Sequence, residues 1–212
     1  MSFDKIETVI FDYGNVLTVW DPFQAVKDKY TEKEFLRFKN DVHLEALIDT
    51  WDGGETREQT VERIAFVDRI RGTNWVDLYN HYEDNFAKTL SPLKGMDKLI
   101  EDLQAAGIKC YGLSNWSISN IHIAKRDIRA IGLLDGMVIS GEEKIIKPNP
   151  RIYNTLLDRY NIKAETALFV DDKPVNVEGA EIVGIQGYLN EKPFEETEVR
   201  LRKFFKENNV LI

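Results

Sequence analysis

Five short runs along the chain are largely apolar: residues 8–11 (TVIF), 108–114 (IKCYGLS), 136–140 (GMVIS), 166–170 (TALFV) and 186–189 (QGYL). Short runs of this kind are the pattern of strands buried on both faces of a parallel sheet. Helical patterns lie between the later ones. Residues 95–106 read as a helix that stops at Gly107, a residue suited to a C-terminal cap. Asn149-Pro150 opens a second helix, which runs to Tyr160 and stops at Asn161. A third covers residues 174–183 and stops at Gly184. This alternation predicts βαβ units and an α/β fold with a doubly wound parallel sheet.

Between the first two runs the alternation stops. Residues 20–90 read as helix after helix with no convincing strand. Asp21, Pro22 and Gln24 have the order of a helix start. Thr31 with Glu34, and Thr56 with Gln59, are spaced as capping boxes, and Gly72 ends the helix over 57–71. The expected organisation is a core of residues 1–18 and 90–212 with a helical insertion over 19–89.

Composition narrows the setting. In 212 residues, 43% are hydrophobic and 30% charged, as in an ordinary globular chain. A net charge of −8 argues against a general electrostatic grip on nucleic acid or on an anionic membrane. Cys110 has no second cysteine to pair with, no stretch is long and apolar enough to span a bilayer, and the first residues lack a signal-type cleavage region. The expected location is cytoplasmic. Monomer and dimer stay equally open.

Ligands of open α/β sheets bind beyond the C-terminal ends of the strands. The predicted strands end at Asp12, at Ser114-Asn115 and at Asp171-Asp172, and the loop after the third carries Lys147. Each residue has an ordinary alternative. Asp12 could form a turn before Gly14, Ser114-Asn115 and Asp171-Asp172 could cap helices, and Lys147 could be a solvated lysine. Together these need four unrelated accidents at four strand ends. Clustered carboxylates repel one another, and Mg²⁺ with its preference for hard oxygen ligands relieves that repulsion. A metal, a lysine and a hydroxyl around a carboxylate nucleophile suit phosphoryl transfer.

In this arrangement the chain resembles the haloacid dehalogenase-like (HAD) hydrolases over essentially its whole length. FDYGNVL (11–17), LSN (113–115), Lys147 in KPNP and FVDDKPVN (169–176) resemble the family's four motifs in order. The resemblance implies a Rossmann-like core, a C1-type helical cap that closes over a small phosphorylated substrate, and Mg²⁺ as cofactor. It implies Asp12 as nucleophile, Ser114 and Asn115 at the phosphate or substrate, and Lys147 as the catalytic and phosphate-binding cation. It further implies Asp12, Asp171, Asp172 and the Gly14 carbonyl at the metal, and Asn176 in support.

One position departs from the family. Two residues after the nucleophile most of its phosphatases carry a second Asp, the leaving-group acid; here it is Gly14. General acid catalysis contributes about 10²–10⁴-fold, and its loss hurts least when the leaving group is already acidic. The DxGNV form resembles a branch of sugar-phosphate phosphatases, notably glucose-1-phosphate phosphatases. The expected substrate is thus a sugar phosphate, an anomeric one fitting best. The alternatives are a 2-haloacid dehalogenase-type hydrolase and a non-catalytic binding protein on a HAD scaffold. In the insertion, Trp51 and Asp52 are expected on a loop facing the site. Trp75, Leu78, Tyr79, Tyr82 and Phe86 are expected mainly as a packed helix face.

Overall fold

The computed structural model describes residues 5–212. Strands β1 (Thr8–Phe11), β4 (Lys109–Ser114), β5 (Gly136–Ile139), β6 (Ala167–Asp171) and β7 (Gln186–Leu189) form one parallel sheet in the order β5-β4-β1-β6-β7. Strands β2 (Thr18–Trp20) and β3 (Leu90–Pro92) lie outside this sheet. Phe11 is in register with Gly112 on one side and Val170 on the other. Asp12 therefore emerges beside the ends of β4 and β6. The order reverses around β1, which is where open α/β sheets present their ligand crevice.

Both faces of the sheet are covered. Val9, Phe11, Leu168 and Val170 are buried in one apolar cluster, while Ile10, Phe169, Leu113 and Tyr111 are buried in another. The period of two sends alternate residues to opposite faces, and both sets find a partner. The first cluster takes Leu99 and Leu103 from α5 (Met96–Ala105) and Leu201 and Phe205 from α11 (Thr197–Glu207). The second takes Ile152 and Leu156 from α9 (Pro150–Tyr160) and Ala180 from α10 (Pro174–Ile182). Burial of one such large side chain stabilises by roughly 1.5–3 kcal/mol, so the two faces together dominate the fold.

The predicted stops fall where glycine or asparagine adopts a left-handed backbone: Gly72, Gly107, Asn161 and Gly184 all have positive φ. Both predicted capping boxes form, with Thr31 opening α1 (Glu32–Asp41) and Thr56 opening α3 (Arg57–Arg71). Between these helices lies α2 (Leu44–Asp52), and α4 (Trp75–Asp84) follows α3.

Three details differ from the sequence reading. The segment between β1 and β4 does contain strand, because β2 (Thr18–Trp20) pairs antiparallel with β3 (Leu90–Pro92). These are three-residue strands whose partners lie some seventy positions apart, so no local periodicity announces them. Asp21 caps only a four-residue 3₁₀ turn, Pro22–Ala25, in which its side chain accepts from the Phe23 N–H. Asp171 belongs to β6 itself, and Ser140 begins the one-turn helix α8 (Ser140–Glu143) rather than ending β5.

Candidate active site

At the C-terminal edge of the sheet, Lys147 is the hub. Its ammonium is buried and donates to Asp171 Oδ2 at 2.6 Å and to the Leu113 carbonyl at 3.0 Å, and it lies 2.9 Å from Asp12 Oδ1. Three acceptors use its three N–H groups. The side chain of Asn115 orients it, because Asn115 Oδ1 accepts from the Lys147 N–H at 2.8 Å and Asn115 Nδ2 donates to the Lys147 carbonyl at 3.1 Å. Asn115 is thus pinned to the Lys147 backbone from both polar ends, with one Nδ2 N–H left over.

Asp12 Oδ1 also accepts from Ser114 Oγ at 2.8 Å. Its Oδ2 takes no hydrogen bond among the described residues, so one oxygen is held and the other is free. Asp171 is saturated: Oδ2 accepts from Lys147, Oδ1 accepts from the Lys173 N–H at 2.8 Å, and Asn176 Nδ2 reaches both oxygens at 3.0 and 3.1 Å. Tyr153 fixes Asn176 by donating to its carbonyl at 2.8 Å. Asp172 Oδ2 accepts from Asn15 Nδ2 at 2.9 Å. Asn15 is a site residue to which the sequence reading gave no role. Its backbone is left-handed, φ 58°, a conformation asparagine tolerates, and its carbonyl accepts from Asn190 Nδ2 at 2.7 Å.

Electrostatics follow from this geometry. Burial pushes the Asp12 carboxyl up to about 6; Lys147 pulls it down, and Asp171 and Asp172 push it up again. Burial by itself would lower the Lys147 ammonium, but Asp12 and Asp171 outweigh it and hold it above its ordinary value. Burial also raises Asp172 against the opposing hydrogen bond from Asn15. Asp12, Asp171 and Asp172 each present an oxygen within 4.8 Å of the others. Three acids against one buried lysine leave an excess of negative charge that a hard divalent cation suits. Asp12 and Asp172 have uncommitted oxygens for it, whereas those of Asp171 are occupied. Gly14 lines the same cavity, and a Cβ added to it would meet nothing within 4 Å.

Above this floor is a cavity of ≈ 250 Å³. Its wall includes Trp20, Ile48, Trp51, Tyr82, Phe86 and Trp116, with Asp52, Ser117 and Asn120 among them. The rings form a chain across it, with centroids 6.2 Å apart for Trp51–Tyr82, 5.8 Å for Tyr82–Phe86 and 6.1 Å for Phe86–Trp116. Tyr82 and Phe86 are both buried and both face the cavity, Tyr82 from α4 as the helical periodicity predicts and Phe86 from a 3₁₀ turn, Phe86–Thr89, that follows the end of α4. The buried indole N–H of Trp51 has no hydrogen-bond partner among the described residues. A donor left so costs about 1–3 kcal/mol unless a ligand atom takes it.

Trp51 and Asp52 line the cavity, but not from a loop: they form the last turn of α2, and the chain turns only after them, at Gly53-Gly54. Gly54 has φ +95°, and a Cβ there would sit 2.9 Å from the Gly141 carbonyl oxygen of α8. The turn is thus pressed against the sheet domain, and only glycine permits both the angle and the approach. Gly54→Ala is expected to cost roughly 1–3 kcal/mol. Urea melts check this, and an unchanged midpoint would mean that the turn does not rest on α8.

A family model of haloacid dehalogenase-like hydrolases matches residues 6–184. Sesquiterpene phosphatase astK of Aspergillus oryzae is 24% identical over 185 residues, 85% of this chain and 88% of that protein. A HAD family enzyme of Bacteroides thetaiotaomicron, a mutant solved with magnesium and inorganic phosphate, superposes with a TM-score of 0.69 at 19% identity, over 89% of this chain and 95% of that one. The L-2-haloacid dehalogenase of Xanthobacter autotrophicus, with chloropropionic acid covalently bound, superposes with a TM-score of 0.66 at 16% identity, over 98% and 85%. At such identities the superpositions speak for the fold.

Proposed function

The chain belongs to the haloacid dehalogenase-like hydrolases, and from that premise we propose that it is a Mg²⁺-dependent phosphatase acting on a small phosphate monoester through an aspartyl phosphate on Asp12. The observation that carries this reading is the acid cluster: Asp12, Asp171 and Asp172 within 4.8 Å around a buried lysine. A dehalogenase displacing halide from carbon needs no metal and has no use for Asp172. A binding protein has no use for a carboxylate oxygen kept free beside a buried ammonium.

In the proposed reaction Asp12 Oδ2 attacks phosphorus. The bond from phosphorus to the leaving oxygen breaks, and that oxygen keeps the electron pair and takes up a proton. Water then attacks phosphorus and gives up a proton, and the Asp12 carboxylate is released with inorganic phosphate. Ser114 and Lys147, both within hydrogen-bond reach of Asp12, turn from it to the phosphoryl oxygens. Bound Mg²⁺ supplies the positive charge that brings carboxylate and phosphate together; Asp12, Asp172 and the Gly14 carbonyl would hold it, with Asp171 orienting Lys147 and Asn176. The helices between β2 and β3 act as the cap, and Asn115 fixes the Lys147 backbone while its second Nδ2 N–H is left for the phosphate or substrate.

Two leaving groups compete. Gly14 supports an activated one, such as the anomeric oxygen of a sugar phosphate. The aromatic wall supports an apolar one, because its rings offer a broad apolar surface beside the polar side chains of Asp52, Ser117 and Asn120. The similarity to a sesquiterpene phosphatase agrees with the second, which we favour. The test is phosphate release from a panel of hexose 1- and 6-phosphates, aryl phosphates and isoprenyl monophosphates. Turnover should fall to background with EDTA and return with Mg²⁺, and isoprenyl or aryl esters should lead. Metal-independent turnover of a 2-haloacid would overturn the phosphatase reading, and hexose 1-phosphate in the lead would overturn the apolar one.

A further inference from the structure

We propose that Asp52, carried over the catalytic floor by the last turn of α2, is the acid–base residue that Gly14 leaves off that floor. The inference rests on the phosphatase reading above and deepens it.

The argument is one of elimination inside one cavity. The ionisable side chains lining it are Asp12, Asp52, Tyr82, Lys147, Asp172 and Lys173. Asp12 is the nucleophile, Asp172 has its oxygens turned to Asn15 and the cation site, and the Lys147 protons are held by three acceptors. Lys173 is exposed, and burial pushes the Tyr82 phenol well above its ordinary value, which makes it a weak acid. Asp52 remains. It is half-buried, and its carboxyl has no hydrogen bond or ion pair with another described residue. An unpaired carboxyl among aromatic rings is free to hold a proton and to give it up.

Its setting favours the protonated form. Asp52 closes α2 at the C-terminal end, where the helix dipole disfavours negative charge. Burial raises the carboxyl to about 7; Lys173 opposes this, Asp49 and Asp12 add to it, and Lys147 opposes it from the floor. Asp172, Glu55 with its ion-pair partner Arg63 and, by Gly54, Lys144 also lie near this end of α2. Position is secured by Gly54, whose turn abuts the Gly141 carbonyl. Acid–base groups work best when they are neither fully ionised nor fully protonated near the working pH.

The proton balance closes. As Asp12 Oδ2 bonds to phosphorus and the leaving oxygen departs with its electron pair, Asp52 donates its proton to that oxygen. The Asp52 carboxylate then takes a proton from the water that attacks phosphorus, and both groups regain their starting states. With an acid supplied from α2, the absence of one at position 14 no longer demands an acidic leaving group, which agrees with an apolar alcohol in the cavity.

The experiment compares wild type and Asp52→Asn, both with Mg²⁺, on p-nitrophenyl, phenyl and benzyl phosphate. These are similar in shape but their leaving groups become steadily more basic. On benzyl phosphate kcat/KM should fall by about 10²–10⁴-fold. On p-nitrophenyl phosphate the loss should be at least about tenfold smaller, and Asp52→Glu should recover part of the benzyl activity. The limb of the wild-type pH profile on which activity declines as pH rises should be absent from Asp52→Asn. Equal losses on all three esters, or no loss, would overturn the inference while wild-type turnover keeps the phosphatase reading. A wild type that hydrolyses none of them overturns both. Thermal melts accompany each variant, so a folding defect is seen as an equal loss with a lowered midpoint and counts against the role.

Discussion

Replacing Asp12 with Asn should reduce phosphate release by at least about 10⁴-fold, the scale on which loss of a covalent nucleophile is felt. The carboxamide has nearly the same shape, and its oxygen can keep the hydrogen bonds that Ser114 and Lys147 now donate to Oδ1. What it lacks is the free, electron-rich Oδ2. The substitution also takes one charge out of a cluster of three acids. The fold should therefore hold, with a melting midpoint no lower than that of wild type in EDTA. Steady-state assays with Mg²⁺ and a calorimetric scan check the two halves. Undiminished turnover in a well-folded variant would mean that the reaction happens elsewhere.

Lys147→Met should damage both stability and turnover. The ammonium is buried between Asp12 and Asp171, at 2.9 and 2.6 Å. Removing one partner of a buried pair strands the others, at a cost of about 3–5 kcal/mol. At about 2–4 °C per kcal/mol for a chain of this size, the midpoint should drop by roughly 6–20 °C. The pH dependence carries a sign. Asp12 is already raised to about 6 by burial, with Lys147 holding it down. Without the lysine its folded-state value rises further above the unfolded one. The protonated form then stabilises the fold, and that stability is lost as pH rises through the new value. The variant should regain stability as pH falls from about 8 to about 5, in EDTA, more than wild type does. Melts across that range test it, and a midpoint that responds to acid no differently from that of wild type would mean that Lys147 does not hold the Asp12 carboxyl down.

Much of this site was legible before any coordinates. Buried parallel strands are apolar runs, so the first polar residue at each C-terminal end stands out, and the fold brings those ends together. Asp12, Ser114 and the Asp171-Asp172 pair are found in this way, and Lys147 by its loop. Asn15 does not stand out, because an asparagine in a glycine turn already has a local explanation. Nor do β2 and β3, because three residues carry no usable period. The position of Trp51 and Asp52 before Gly53-Gly54 points to the site but predicts a loop. The helix continues through them because its C-terminal turn is finished by the glycines and not broken before them.

By itself the sequence determined the alternation of strand and helix, the helix stops at Gly72, Gly107, Asn161 and Gly184, the acid and hydroxyl at the strand ends and the missing acid at Gly14. These depend on neighbours a few positions away, and local sterics and periodicity decide them. Tertiary structure alone decided which oxygen of Asp12 is free, that the Asn115 side chain is pinned to the Lys147 backbone, and that six apolar side chains, five of them aromatic, face the floor. It also decided that Asp52 from α2 and Gly14 from the turn after β1 line one cavity. Charge pairing and desolvation act through space, between Lys147 and Asp12 or Asp52 and the catalytic floor, and separation along the chain carries no information about them until the sheet and the helices have closed.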